Sequence, residues 1–546
     1  MGCAGLLGPA VRARYKQEDR WGQRGLEANS KFYEDRASAK NIGSLRTAYV
    51  FALAIAKLRC TNVAMHNRGP PRGRIDALPF HEMFEPDGSI RPCYAEVQKW
   101  VERTGIAGLN RRLDEAEAIF RRIGITFAVY GEGGDPERLI PFDLLPRIFT
   151  GQEWRVLDRG IRQRARALNA FLHDVYHRGE IVKAGIMPAD IIYRNSAYLA
   201  EMADFTPPGK VYSHIVGIDI VRTGPTRFEV LEDNCRTPSG VSYMLENREI
   251  MTRMFPELFS QGLVAPVDDY PAELLKSLKE VAPPACKGDP VVVLLTPGSL
   301  NSAYYEHSFL ADLMGIELVE PADLFVDEDR VWMKTTLGPK QVDVIYRRID
   351  DEYIDPLVFR PESLLGIPGI FNVYRNGGVT LASAPGAGIA DDKAVYIYVP
   401  EMIRFYLGEQ PILDNIQTWQ CGRPDECSYV LEHLHELVAK EVHGSGGYGM
   451  LIGPKSTQEE IAAYAQRIRA NPSEFIAQPT LDLSTVPTLG PAAVVGRHAD
   501  FRPYCLVGKQ IRLVPGGLTR VALTEGSLVV NSSQGGGVKD TWVLQD

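Results

Sequence analysis

The chain has 546 residues, 45% of them hydrophobic and 24% charged, and a formal net charge of −9 at pH 7. Such a composition is typical of a globular protein with a sizeable core, and the acidic balance argues against nucleic-acid binding through a broad basic face. The eight cysteines are scattered without a CxxC pair, which favours reduced thiols and a cytoplasmic location. No run approaches the roughly 18 apolar residues of a transmembrane helix, so we expect no membrane partner.

The first part of the chain differs from the rest. Residues 1–75 show no sustained hydrophobic period, and the segment NRGPPRGR would interrupt any helix or strand. We expect an N-terminal extension without chemistry of its own, either disordered or the product of an upstream start codon. From residue 76 onward the sequence has the patterns of a folded protein. AEVQKWVERTGIAGLNRRLDEAEAIFRRIG has helical spacing and a glycine at its end, and ITFAVYG follows as a strand.

Two neighbouring strands are predicted to carry a group of oxygen ligands. KVYSHIVGIDIVRTG and TRFEVLEDN are joined by a Gly-Pro turn. This arrangement places Asp219 and Glu232 on adjacent strands about 5 Å apart, with Asn234 at the end of the second strand. Carboxylate and amide oxygens suit Mg²⁺, which keeps several waters and is usually shared with substrate phosphates. The alternative is a charged exit from a strand into a turn, without a metal.

A second α/β segment follows a proline-rich break. VVVLLTPG, IELVEPADL and QVDVIYRRIDDEYIDPL are predicted strands, and SAYYEHSFLADLMG is a helix that ends at Gly315. Alternation of strand and helix predicts a mixed, largely parallel sheet with helices on both faces. We divide the folded region into segments 76–280, 281–369 and 370–546, of which the last contains the apolar helix AVYIYVPEMIRFYL and a β-rich tail.

The sequence LVAKEVHGSGGYGMLIG is the second strong signal. Lys440 lies on a short apolar strand, and a glycine-rich loop comes directly after it with Gly444, Gly446, Gly447 and Gly449. Glycine-rich backbone can approach a phosphate closely, and the lysine supplies the compensating charge. The loop is not a Walker A motif, because the lysine precedes the glycines and no GK[ST] follows. The alternative is a mobile hairpin.

Two weaker signals lie on either side of this loop. Lys393 ends the polar run APGAGIADDK and could be a second cation for nucleotide phosphates, or a solvated start of the next helix. The segment FIAQPTLDLSTVP begins as a strand and turns at Gln478, where backbone and amide groups could meet an adenine edge.

Two other patterns imitate catalytic motifs. HDVYH places His173 and His177 four residues apart, the spacing of zinc proteases, but Asp stands where the general-base Glu belongs and no third ligand is evident. A zinc hydrolase is therefore a minor alternative. Cys235 could be imagined as a nucleophile, but no histidine is tied to it in sequence.

Long ordered segments of the chain resemble the circularly permuted type 2 ATP-grasp ligases related to glutathionylspermidine synthetases. The resemblance spans roughly residues 78–546 and rests on GIDIVRTG, EVLEDNCRTPSGVSYMLENR, SAPGAGIADDKAVYIYVPEMIRFYLGE, VHGSGGYGMLIGP and IAQPTLDLST, among others. It implies an α/β (α+β) fold with mixed sheets flanked by helices. It also explains why the metal ligands precede the lysines in this sequence, since ordinary ATP-grasp enzymes have the opposite order.

The resemblance implies roles for individual residues. Asp219, Glu232 and Asn234 match the Mg²⁺ ligands, and Arg520 matches an arginine that steadies the transferring phosphoryl group. The positions that match the ATP-binding set are Lys393, Lys440, the loop from Gly444 to Gly449, and the adenine-contacting Gln478. The relatives carry an arginine two positions before the metal-binding Asp, where this chain has Gly217. Arg347, a second candidate catalytic arginine, could replace it, as could Arg348 or Arg222.

The activity that the resemblance implies is ATP-dependent formation of an amide bond. Mg²⁺ and ATP would convert a substrate carboxylate into an acyl-phosphate, and an amine would displace the phosphate. The partners would be carboxylate and amine substrates, either small molecules or peptides. The alternative from another class is a regulatory or degenerate nucleotide-binding protein without ligase activity.

Overall fold

The structure is a computed structural model, and it describes residues 79–124, 126–128, 137–260, 262–444, 449–530 and 535–545. The expected extension over residues 1–75 lies outside the described residues, as do Gly446 and Gly447. Within the described ranges no helix is long and apolar enough to cross a membrane.

Helices and strands alternate along much of the described chain. Its α-helices are α1 (Ala95–Thr104), α2 (Ile106–Ile123), α3 (Gly151–Val175), α4 (Glu180–Lys183), α5 (Ala189–Tyr193), α6 (Val241–Met254), α7 (Pro256–Phe259), α8 (Tyr270–Glu280), α9 (Tyr304–Met314), α10 (Ile370–Arg375), α11 (Lys393–Tyr396), α12 (Val399–Met402), α13 (Pro424–His433) and α14 (Gln458–Ala470).

The strands of the same ranges fall into several sheets. They are β1 (Thr126–Ala128), β2 (Glu137–Leu139), β3 (Phe142–Phe149), β4 (Ile215–Gly224), β5 (Arg227–Asn234), β6 (Val292–Leu295), β7 (Glu317–Val319), β8 (Leu324–Asp327), β9 (Arg330–Met333), β10 (Lys340–Val342), β11 (Val344–Arg347), β12 (Thr380–Ala382), β13 (Asp414–Asn415), β14 (Trp419–Gln420), β15 (Leu437–Glu441), β16 (Leu451–Ile452), β17 (Phe475–Pro479), β18 (Thr485–Leu489), β19 (Val494–Arg502), β20 (Tyr504–Val507), β21 (Ile511–Leu513), β22 (Leu518–Val521) and β23 (Gly537–Val543).

The largest sheet joins strands that are far apart in the sequence. Its order is β13-β5-β4-β19-β22-β23-β3, and β20 also pairs with β4. Strand β23 lies antiparallel to β22 on one side and parallel to β3 on the other. Every residue of β3 and of β23 is buried, as expected of strands covered on both faces.

Helix α3 connects this sheet to the rest of the core. It begins with a capping box in which the Thr150 hydroxyl accepts a hydrogen bond from the Glu153 N–H at 3.2 Å and the Glu153 carboxylate accepts one from the Thr150 N–H at 2.9 Å. These bonds satisfy N–H groups that the first turn of a helix leaves unpaired. The same helix carries the buried Arg164, whose guanidinium contacts the carboxylate of Asp233 on β5.

The predicted second α/β segment forms a separate parallel sheet. Its strand order is β12-β11-β6-β7, and all three pairings are parallel. Helix α9 ends at Met314, and Gly315 follows with φ 65°, a left-handed conformation that glycine adopts without strain. Mixed sheets flanked by helices confirm the predicted fold class. Strand β12 lies beyond residue 369, and the segment boundaries stay a prediction.

Two predicted helices are interrupted in the structure. The stretch from residue 95 to 123 is divided at Gly105, which has φ 67°. The apolar segment after Lys393 is divided into α11 and α12, because Pro400 has no N–H to continue the first helix and stands at the start of the second. Hydrophobic spacing is continuous across both interruptions, so the pattern alone predicted one helix in each case.

An antiparallel sheet of order β14-β17-β15-β16 forms the third part of the architecture. Helices α13 and α14 contribute Val430, Tyr464 and Ile468 to its small hydrophobic core, together with Leu437 and Phe475 from the strands. Strand β15 carries Lys440, and the neighbouring β17 carries Gln478.

We expect two buried histidines to make the fold sensitive to mild acid. Burial lowers the pKa of His214 to about 3 and that of His307 to about 2. In the unfolded chain each histidine binds a proton below its ordinary pKa of about 6.5, whereas in the folded state it stays neutral. The free energy of unfolding therefore decreases as the pH falls through that value. Between pH 7 and pH 5 each histidine should cost about 2 kcal/mol of unfolding free energy.

Urea unfolding of the wild type and of His214→Gln and His307→Gln at pH 5, 6 and 7 measures this contribution. Glutamine does not titrate in this interval, so the loss of stability between pH 7 and pH 5 should shrink by about 2 kcal/mol in each variant. Equal pH dependence in the variants and the wild type would show that these histidines are not the cause.

Candidate functional site

One cavity of about 630 Å³ lies between the largest sheet, which contains β4 and β5, and the antiparallel sheet that carries Lys440. It brings together residues that the sequence singled out on distant segments. The predicted site residues that line it are Asp219, Glu232, Asn234, Lys393, Lys440, Gly444, Gln478 and Arg520.

The carboxylates and the amide come from the predicted strand pair. In the antiparallel register of β4 and β5, Asp219 lies opposite Glu232 and Gly217 lies opposite Asn234. The Asn234 amide nitrogen donates to the Gly217 carbonyl oxygen at 3.4 Å, a long bond that leaves the amide oxygen as an acceptor. The predicted adjacency of Asp219 and Glu232 is confirmed.

Two arginines hold Asp219 in place. Its carboxylate is fully buried and accepts hydrogen bonds at 2.7 Å from the Nη2 atoms of Arg502 and Arg520. Burial alone would raise the pKa of Asp219, but the two guanidinium groups hold it well below its usual value. Arg520 also donates from Nε to Asp500 at 2.9 Å. Asp219 is therefore ionised, and the end of the sheet that lines the cavity carries a compact network of charged side chains.

Arg502 was not predicted as a site residue, and it lies next to Gly217. A Cβ atom at position 217 would lie 2.8 Å from Cβ of Pro238 and 3.6 Å from Cδ of Arg502. No larger side chain fits there unless its neighbours move, and Arg502 already occupies the adjacent space. The alternation of Asp500 and Arg502 along β19, with one residue between them, places both side chains on one face. This alternation is the signal that sequence reasoning could have used.

The arginines proposed as replacements lie elsewhere. Arg347 is fully buried on β11, where Nε donates to the Ser383 carbonyl at 2.7 Å, Nη1 donates to the Ile349 carbonyl at 2.6 Å, and Nη2 contacts Asp351. It is not among the described residues that line the cavity. The structure thus does not bring Arg347 to the cavity with the other predicted site residues, and its catalytic role stays a prediction.

Arg348 and Arg222 are equally engaged away from the cavity. The Arg348 guanidinium pairs with Glu306 at 3.1 Å, and that of Arg222 pairs with Glu153. Neither is among the cavity-lining residues of the described chain. Arg502, on a different strand, does line the cavity.

The two lysines approach the carboxylates from the opposite side. Lys440 donates to the side-chain oxygen of Gln478 at 2.8 Å, and burial lowers its pKa to about 8. Lys393 lies 3.7 Å from Glu232 and donates to the Gly444 carbonyl. Gln478 also donates to Thr418 at 3.1 Å, so its side chain orients Lys440.

The described glycines flank the loop after β15. Gly444 lines the cavity, whereas Gly449 does not. Gly449 has φ 71°, and a Cβ atom there would lie 3.4 Å from the Glu441 carboxylate. Both the conformation and the close approach favour glycine.

The oxygen donors of the β4–β5 strand pair suit Mg²⁺ better than a metal ion whose ligands all come from the protein. No group of three or more His, Cys, Asp or Glu side chains that could hold a metal ion is found among the described residues. Asp219, Glu232 and Asn234 supply oxygen atoms only, and both oxygens of Asp219 are shared with arginines. A hard cation that takes its remaining ligands from water and phosphate matches such a partial set.

The look-alike motifs do not form catalytic sites. The rings of His173 and His177 lie 4.2 Å apart, but His173 contacts the Tyr212 hydroxyl and His177 contacts Thr206. The described residues provide no third zinc ligand beside them. Cys235 is fully buried, and burial raises the pKa of its thiol well above the usual value. A zinc hydrolase and a cysteine nucleophile are both disfavoured.

Comparisons with known proteins place the chain in a family. Residues 146–522 match the circularly permuted ATP-grasp type 2 family. An uncharacterised protein of Synechocystis is 52% identical over 467 residues, which cover 85% of this chain and 97% of that protein. A putative glutamate–cysteine ligase of Frankia casuarinae is 41% identical over 471 residues, covering 86% of this chain and 54% of the longer relative.

A solved structure supports the fold. The apo form of a glutathione synthetase-like effector from Globodera pallida superposes with a TM-score of 0.52 and 11% sequence identity, over 80% of this chain and 98% of that chain. At this identity the likeness concerns the fold alone. The family match over residues 146–522 gives the conclusion: the chain belongs to the circularly permuted ATP-grasp type 2 family and is an ATP-dependent ligase.

Proposed function

We propose that the protein is a carboxylate–amine ligase that activates its acid substrate as an acyl-phosphate. One observation carries the proposal. A single cavity has oxygen donors on the β4–β5 strand pair, two lysines opposite them and two arginines beneath them. Phosphoryl transfer leaves the protein little covalent work, so catalysis depends on position and on charge neutralisation. The oxygen donors would position the reacting groups, and the lysines and arginines would neutralise their charge.

The lysines and the arginines would have different roles because they lie on different sides of the cavity. Lys393 and Lys440 would contact the phosphates of ATP, and the negative charge would favour the protonated form of the half-buried Lys440. Gly444 would bring backbone close to the same phosphates, and the Gln478 segment would lie toward the adenine. Arg520 and Arg502 would oppose the charge that develops on the transferring phosphoryl group, with Asp219 fixing both guanidinium groups.

The residues that would hold Mg²⁺ are Glu232 and Asn234, with Asp219 beside them. Bound there, the ion would neutralise phosphate charge and orient the transferred group. The Glu232 carboxylate makes no short ion pair, because Lys393 and Arg502 approach it only at 3.7 and 3.9 Å. This leaves its oxygens available to a cation.

The names of similar proteins suggest which substrates to test first. One relative is called a putative glutamate–cysteine ligase, and the structural neighbour is called glutathione synthetase-like. The resemblance to glutathionylspermidine synthetases adds polyamines to this set. We therefore propose amino acids or short peptides as acids, and amino acids or polyamines as amines, in a reduced cytoplasmic setting.

The decisive experiment is a matrix of acids and amines incubated with the purified protein, ATP and Mg²⁺. ADP release should require one acid, and mass spectrometry should detect an amide only when the matching amine is present. A parallel reaction with hydroxylamine should give the hydroxamate of that acid. Nucleotide binding in calorimetry without ADP or hydroxamate, across the whole matrix, would contradict the proposal.

A further inference from the structure

The roles assigned above leave Asp391 unused, although it lines the same cavity. It lies two positions before Lys393, at the end of the short helical turn that precedes α11. Its side chain reaches the loop after β5, where Oδ1 accepts hydrogen bonds from the backbone N–H groups of Cys235 and Arg236. Asp391 therefore lies between Lys393 and the loop that carries Arg236, and all three residues line or border the cavity.

The two oxygens of Asp391 have different surroundings. Oδ1 is occupied by the backbone donors, whereas Oδ2 has no hydrogen bond within the described part of the chain. The Arg236 guanidinium approaches Oδ2 with Nε at 3.8 Å. That guanidinium is itself shared with Asp350 at 3.3 Å. One carboxylate oxygen thus remains available to a group in the cavity.

The charges around Asp391 come from several elements. Arg236 follows β5, Lys393 begins α11, and Asp350, Asp351 and Glu352 surround Arg236 from the loop after β11. Burial raises the pKa of Asp391 to about 7, and Arg236 and Lys393 only partly oppose this effect. A carboxylate in this range exchanges protons at neutral pH, which is the property of an efficient general base.

The neighbouring Asp392 shows the contrast. Its carboxylate caps α11 by accepting from the N–H groups of Ala394 at 2.7 Å and Val395 at 3.2 Å, and it accepts from Asn195 at 2.6 Å. The Asp392 carboxylate therefore stabilises the start of α11 through these hydrogen bonds. Both aspartates line the cavity, and Asp391 is the one with an oxygen that accepts no hydrogen bond from the described residues.

We propose that Asp391 is the general base for the amine in the second half of the reaction, an inference that rests on the proposed ligase function. The amine nitrogen attacks the carbonyl carbon of the acyl-phosphate, forming the C–N bond. The C–O bond to phosphate breaks, and phosphate leaves with its electron pair. The surplus proton on nitrogen moves to Oδ2 of Asp391 and ends on the departing phosphate as HPO₄²⁻.

The substitution Asp391→Asn separates this role from a structural one. Asparagine keeps a carbonyl oxygen for the two backbone donors but cannot accept a proton at neutral pH. Hydroxylamine is largely unprotonated at neutral pH and needs little help from a base. With the productive acid, hydroxamate formation by D391N should stay within a few-fold of wild type, whereas amide formation should fall by about 10²-fold or more.

A pH profile and a matched variant complete the test. At saturating amine, the wild-type rate should level off above about pH 7, the pKa of Asp391, while the residual D391N rate should keep rising. Asp350→Asn removes a carboxylate that also pairs with Arg236 but does not line the cavity. It should leave both the hydroxamate and the amide reactions within a few-fold of wild type.

Three outcomes would overturn the inference. Amide formation by D391N within a few-fold of wild type would exclude a base role. A parallel loss of hydroxamate and amide would show that Asp391 supports the architecture of the site. Absence of hydroxamate from the wild type with every acid would remove the proposed function, and this inference with it.

Discussion

Glu232→Gln should lower ADP formation by about 10²–10³-fold while the fold persists. Glutamine preserves the volume of the side chain but removes the charge that would attract Mg²⁺ and balance Lys393. The side chain is about a quarter exposed, at 26%, and it makes no short ion pair, so folding should not depend on it. Steady-state ADP release, compared with circular dichroism and thermal unfolding, measures both effects.

Glu229→Gln is the matched control, since Glu229 lies on the same strand but does not line the cavity. Its carboxylate accepts from Thr223 at one oxygen and from Arg227 at the other, and glutamine retains one of these two acceptors. ADP release by this variant should match wild type. Turnover of the Glu232 variant within a few-fold of wild type would show that the metal assignment is wrong.

Arg164→Met should lower the unfolding free energy by about 3–5 kcal/mol, because it leaves the Asp233 carboxylate buried without a counter-charge. Both side chains are almost fully buried, at 1% and 0% exposure. Arg164 also donates to Asn415 at 2.7 Å. Since Asp233 lies between Glu232 and Asn234 on β5, the ion pair anchors the strand that carries two metal-ligand candidates. Urea unfolding measures the loss.

The double variant Arg164→Met with Asp233→Asn identifies the cause. Asparagine carries no charge, so the double variant should regain a large part of the stability that the single Arg164 variant loses. A single variant that loses less than about 1 kcal/mol would contradict the assignment, because such a loss is typical of exposed ion pairs.

Sequence patterns predicted those parts of the site that depend on local order. Asp219 and Glu232 were placed on adjacent strands because each strand alternates and a Gly-Pro turn joins them. Lys440 was placed on a strand because a short apolar run precedes the glycines. In both cases the chemistry of the site follows from residues within one hairpin or one strand–loop unit, where the sequence contains the necessary information.

The remaining features depend on contacts between distant segments. Arg502 reaches Asp219 across 283 positions, and only the pairing of β19 with β4 brings them together. Arg347 was a candidate for the site because the chain has Gly217 where relatives have an arginine, but it lies on β11, inside a parallel sheet. Strands β6 and β12 pair with β11 there, and a local pattern does not reveal which strands will flank it.

The position of β23 has a consequence for how the protein is made. This strand lies between β22 and β3, and its Lys539 donates to Asp143, 396 positions earlier in the chain, at 2.6 Å. Residues 142–149 leave the ribosome long before β23 has been synthesised. The edge of β3 that pairs with β23 therefore has no partner strand during most of the synthesis. Such long-range pairing slows folding and exposes a hydrophobic strand edge to other chains. Production of this enzyme should therefore depend on chaperones that shield β3 until translation of residues 537–543 is complete.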